Sequence, residues 1–135
     1  MKTKFLYGLG DKKEYSYLLE HFSIPKIDWN KGKINPPIGK VKTLVGFSLG
    51  CMVACIHAEK SKVSKLILCS PSPDETLCKV KADEVIFIVG GKENWVIENV
   101  KRMAKTLNCD YKIITVPNSK HKIDRKYLKT ILSVI

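Results

Sequence analysis

Val41-Lys42-Thr43-Leu44-Val45-Gly46-Phe47-Ser48-Leu49-Gly50-Cys51-Met52-Val53-Ala54 is the stretch on which the fold turns. Its first half is apolar and rich in β-branched residues, which predicts a strand over 41–47. Its second half continues through Cys55, Ile56 and Ala58 and is apolar nearly all round, which predicts a helix to about Lys60 buried against a sheet. Where the strand hands over to the helix, Gly46-Phe47-Ser48-Leu49-Gly50 sets a serine between two glycines. A G-x-S-x-G at such a junction makes a tight, strained turn that lifts the serine hydroxyl clear of the sheet. Side chains at the two glycine positions would strike neighbouring backbone. Ser48 then stands at a helix N-terminus, where the amide of Leu49 points at any oxyanion formed by attack on a carbonyl. A plain phosphate-holding turn is the competing explanation, but the run lacks both G-x-G-x-x-G spacing and a Walker lysine.

Outward from this junction, short β-rich runs alternate with helical patterns. That alternation predicts a three-layer α/β/α fold with a mostly parallel sheet. Six strands are expected, over 4–7, 25–29, 41–47, 65–69, 84–89 and 111–116. Asp11 and Glu14 have the spacing of a capping box, opening a helix with Tyr15, Leu18, Leu19 and Phe22 on its apolar side. Two glycines and Pro36-Pro37 make 30–40 a loop. A helix over 95–107 places Val96, Val100, Met103, Ala104 and Leu107 on one stripe, and Asp124 caps a closing helix with Tyr127, Leu128, Ile131 and Leu132 inward.

The length of 135 residues suits one domain, 1–135, large enough to bury a core without a metal or disulfide staple. Hydrophobic residues at 44% and charged residues at 27% exclude disorder and fibrous repeats, and the longest apolar run is too short to cross a bilayer. The net charge of +11 would attract anions. All but two of the 24 basic residues are lysines, however, scattered along the chain, and only Arg102 and Arg125 offer the forks that read phosphate and guanine. No specific nucleic-acid partner is therefore expected. Five cysteines, an odd number, together with a short apolar stretch after Met1-Lys2-Thr3-Lys4, argue for the reducing cytoplasm rather than export. Cys51 and Cys55 stand four apart near His57 without C-x-x-C spacing, so they read as small buried hydrophobes. No metal or other cofactor is expected.

Together the motifs resemble the α/β-hydrolase superfamily over nearly the whole chain, which implies a minimal version of that fold. In that family the order is serine, acid, histidine, with an oxyanion loop after an early strand. Tyr7-Gly8-Leu9-Gly10 resembles the family's H-G-x-G with tyrosine for histidine, which implies the amide of Leu9 as a second oxyanion donor beside that of Leu49. Ile88-Val89-Gly90-Gly91-Lys92-Glu93 is similar to strand-G-x-x-D and implies Glu93 as the acid. The alternative acid is Asp74, in Ser70-Pro71-Ser72-Pro73-Asp74-Glu75 after the preceding strand. Val116-Pro117-Asn118-Ser119-Lys120-His121 carries the base, His121, whereas His21 and His57 read as structural. The chain would begin at the family's third strand, and the connection from Ser70 to Asp83 is too short for a helical cap.

The resemblance implies a serine hydrolase that cleaves small carboxylic esters or thioesters through an acyl-Ser48 intermediate, with Ser48, Glu93 and His121 as its triad. The alternative is a catalytically silent hydrolase fold that binds a small ligand or a protein partner. An exposed sheet edge, where the missing strands would lie, would also suit pairing with a second copy.

Overall fold

Val85, Ile86, Phe87, Ile88 and Val89 form an apolar run of the kind that is stable only where both faces of a strand are covered. All five are buried in the computed structural model, which describes residues 2–30, 34, 36–72 and 76–135. Among the described residues the strands are β1 (Thr3–Leu6), β2 (Phe22–Ser23), β3 (Thr43–Phe47), β4 (Val63–Cys69), β5 (Ala82–Gly90) and β6 (Asp110–Val116). They form one sheet in the order β2-β1-β3-β4-β5-β6, with every pair parallel.

The chain steps outward from β1 to β2, returns past β1 to β3, and then adds each later strand on the far side. Because crossovers between parallel strands are right-handed, the connections leaving β1 and β3 run on opposite faces. A crevice therefore opens at the C-terminal ends of these two strands. Gly8, just after β1, and Ser48, just after β3, border it.

Three α-helices cover the sheet: α1 (Gly50–Lys60), α2 (Asn94–Ala104) and α3 (Arg125–Val134). α1 packs on β1, β3 and β4 through Cys51, Val53, Ala54, Cys55 and Ala58. α2 buries the expected stripe of Val96, Val100, Met103 and Ala104, and α3 buries Tyr127 and Ile131. Leu132 was expected inward on α3 but is exposed. Asp124 caps α3 by accepting the Tyr127 amide at 2.9 Å.

Two elements differ from the sequence expectation. The capping box at Asp11 and Glu14 forms, but it opens a 3₁₀ helix, Lys12–Leu18, that buries only Leu18. Leu19 is exposed, and Phe22 has left the helix to enter β2. The second strand is therefore Phe22–Ser23 and not 25–29. Pro25 has no N–H to give a ladder, and the segment after it is held by a side chain instead. The Tyr7 hydroxyl donates to the Ile27 carbonyl and accepts from the Ile27 amide. The expected loop over 30–40 falls partly outside the described residues, and those that are described contain no helix or strand.

Candidate active site

Ser48 lies in the left-handed region at φ 56°, a conformation that costs a non-glycine residue on the order of 1–2 kcal/mol. Its amide donates to Cys69 O on β4 at 2.9 Å, and its carbonyl accepts the amide of Cys51 at 3.0 Å, so the turn is tied at both ends. A Cβ at Gly50 would sit 2.1 Å from Leu6 O, and one at Gly46 would sit 2.9 Å from the Cα of Cys51. Neither position has room for a side chain. Gly8 is nearly as tight, since a Cβ there would lie 3.0 Å from the Cβ of Ser48. The loop after β1 thus rests directly on the serine.

His121 comes from the loop after β6, which turns at Asn118, a second left-handed residue with φ 63°. Its Nε2 is 2.9 Å from Ser48 Oγ, and its Nδ1 is hydrogen-bonded to Glu93 Oε1. The Phe47 ring lies alongside at 5.1 Å between centroids, and Trp95, largely exposed, stands at 6.4 Å. The loops bearing His121 and Glu93 abut through main chain: a Cβ at Gly90 would be 2.3 Å from Ser119 O.

Glu93 is only 4% exposed, an unusual place for a charge unless it is well bonded. Its Oε2 accepts the Ser70 hydroxyl at 2.6 Å and the Gly90 amide at 2.7 Å, while Oε1 faces His121. Burial pushes its pKa up. The hydrogen bonds from His121, Ser70 and the Gly90 amide, with the His121 charge, outweigh that and hold it below the ordinary glutamate value. Glu93 sits just before α2, with φ −96° and ψ 62°. Asp74, the alternative acid, lies outside the described residues.

Leu49 precedes the first turn of α1, and Leu9 is exposed beside Gly8. Among the described residues neither amide donates to a protein acceptor. Next to Leu9 is a cleft of about 520 Å³, bounded by Leu9, Lys12, Lys26, Asp28 and Trp29. The indole N–H of Trp29 is buried without a partner among the described residues. A second cleft of about 470 Å³, lined by Lys2, Lys4, Lys40 and Lys42, lies at the N-terminal ends of β1 and β3, far from the serine. Ser48, Ser70 and His121 all follow the C-terminal ends of their strands, the end of the sheet at which the first cleft also opens.

His21 and His57 stay away from this cluster. His21 is 4.0 Å from Glu20, and His57, on α1, has an unpartnered Nε2 and a pKa lowered by burial. Among the described residues no three His, Cys, Asp or Glu side chains converge as metal ligands, and Cys51 and Cys55 are buried in the core. No helix among them is long and apolar enough to cross a membrane.

The structure brings together Ser48, Glu93 and His121, the three residues named from the sequence, and adds two behind the carboxylate that were not named, Ser70 and Tyr127. The one cue in the sequence was the position of Ser70, which directly follows an apolar strand and precedes Pro71.

No family model matches the chain, and no curated protein does. Among solved structures it is similar to dienelactone hydrolase from Anabaena variabilis, with a TM-score of 0.58 and 16% identity. The match covers 89% of this chain and 50% of that one, so this chain spans about half the length of that enzyme. The fold is the α/β-hydrolase fold, which the resemblance of the motifs had implied.

Proposed function

We propose that this protein is a serine hydrolase acting on small carboxylic esters or thioesters. The observation that carries the reading is His121, whose Nε2 lies 2.9 Å from Ser48 Oγ while its Nδ1 is bonded to Glu93. A serine hydroxyl is a weak nucleophile near neutral pH. His121 takes its proton as Ser48 Oγ attacks the acyl carbon. Glu93 keeps the Nδ1–H tautomer and balances the imidazolium that results.

Negative charge then gathers on the former carbonyl oxygen. The amides of Leu49, at the start of α1, and of Leu9, next to the Gly8 that packs on Ser48, would serve as its donors, and α1 adds the positive end of its dipole. His121 returns the proton to the departing alcohol or thiol, leaving an ester on Ser48. Water, activated by the same imidazole, attacks that ester, releases the acid and restores the hydroxyl.

The substrate class follows from the surroundings. The connection between β4 and β5 has no helix among its described residues. The adjoining cleft is walled by Lys12, Lys26 and Asp28 as well as apolar groups, which favours compact, polar acyl esters over long-chain lipids. Lysines at the rim suit anionic acyl groups. The test is labelling by a fluorophosphonate probe together with turnover of short nitrophenyl esters. Wild type should label and turn over, and Ser48→Ala should do neither. Folded wild type inert to both would leave the fold as a binding module.

A further inference from the structure

Ser70 is fully buried, and its backbone is in the left-handed region at φ 45°. Its Oγ lies 2.6 Å from Glu93 Oε2 and 2.7 Å from the Tyr127 hydroxyl, which in turn lies 2.8 Å from Ile88 O. Tyr127 is also fully buried, reaching in from α3. Three oxygen–oxygen contacts are thus served by two hydroxyl protons. An ionised Glu93 accepts only, so the Ser70 proton belongs to it. The Tyr127 proton then has two acceptors, Ser70 Oγ and Ile88 O. Ile88 O is already supplied by the Ser70 amide at 2.7 Å.

We propose that Ser70 and Tyr127 are positioning residues for the hydrolysis inferred above: a buried hydroxyl chain that keeps Glu93 ionised and fixes which of its oxygens faces His121. A proton from Tyr127 to Ser70 polarises the serine hydroxyl, and polarised chains bond more strongly at their far end. With Oε2 claimed by Ser70 and the Gly90 amide, Oε1 is left for the imidazole. The other titratable groups facing this chain are the Cys51 thiol and the Cys69 thiol, the latter hydrogen-bonded to Tyr127. Burial pushes the Cys69 pKa far up, so that thiol stays neutral.

This assignment depends on the hydrolase reading for its purpose, and the experiment separates the two. Ser70→Ala and Tyr127→Phe are compared with wild type and with the double variant. Removing a donor from a carboxylate makes it more basic, so it holds the shared imidazole proton harder. The acid limb of the kcat/KM profile should move to higher pH in both single variants. In Ser70→Ala, kcat should fall roughly tenfold, the scale of one charge-assisted hydrogen bond, with KM little changed. The double variant should be no worse than Ser70→Ala, because Tyr127 acts only through Ser70. In parallel, the His121 ring is titrated by NMR in each folded protein, and this needs no turnover.

An NMR titration and an acid limb that do not move in the variants would overturn the proposal, as would additive losses. If wild type hydrolyses nothing, the hydrolase reading falls, while the NMR titration still decides whether Ser70 and Tyr127 tune the Glu93–His121 pair.

Discussion

Ser48 and Ser70 end neighbouring strands, β3 and β4, and both adopt left-handed backbone, with φ 56° and 45°. Their hydroxyls point to opposite fates. Ser48 is partly exposed and meets the imidazole at 2.9 Å, while Ser70 is fully buried and meets a carboxylate at 2.6 Å. The same strained turn serves in one case to present an oxygen to solvent and in the other to drive one inward. Strain alone therefore does not mark a nucleophile; the partner of the hydroxyl does. A serine against an imidazole can lose its proton to it, whereas a serine against a carboxylate that is already bonded to histidine can only donate.

The largest effect is expected at Ser48, the proposed nucleophile. Ser48→Ala should cut ester turnover by on the order of a million-fold, against the roughly tenfold loss expected for Ser70→Ala. Assays of the two variants on one nitrophenyl ester would show it, and equal losses would mean that the serines do not divide the labour as described. Glu93→Gln should follow, with kcat lower by about three to four orders of magnitude, because an amide no longer holds the useful imidazole tautomer. A loss below tenfold by steady-state assay would mean that another carboxylate serves His121.

A third measurement concerns pH and stability. Glu93 has a folded pKa below its ordinary value, so its contribution to stability is fully present above the normal carboxylate range and is lost as pH falls through the folded value. Denaturant midpoints measured from neutral to acid pH should fall more steeply for wild type than for Glu93→Gln. Parallel curves would show that the carboxylate is not held by its partners in the folded state.

The smallest effect sharpens the contrast between the serines. Ser48→Gly releases an unfavourable backbone angle and gives up only a partly exposed hydrogen bond. It should be neutral, or stabilising by up to about 1 kcal/mol. Ser70→Gly gains the same relief but leaves a buried charge with one donor fewer, for a net cost of about 2 kcal/mol. Melting curves of the pair should separate in that order.

Much of this was legible from local pattern. The strand and helix around Ser48 announce themselves by period, by β-branching and by paired glycines, whereas Glu93 and His121 were reached only through the resemblance of their loops to the family's acid and base positions. The sequence misled over 25–29, because Ile27 is buried as a strand residue would be while its main chain is bonded elsewhere, to the hydroxyl of a tyrosine twenty residues away. The turn at Lys12–Leu18 had the right capping residues, but tertiary packing tightened it into 3₁₀ geometry. Ser70 and Tyr127 were invisible for a similar reason. A serine before proline looks like any turn residue, and a tyrosine on a helix stripe looks like core, until folding brings together these two positions 57 apart in the chain.

Gly90 packed on the Ser119 carbonyl carries a consequence for the order of assembly. The reacting groups are separated by 73 and 28 positions along the chain and lie on strands that pair only in parallel. No local nucleus can form them early, since distant loops must close first. On refolding from denaturant, competence of the centre becomes a clock for the final docking of β6, arriving with the last part of the sheet rather than with the first.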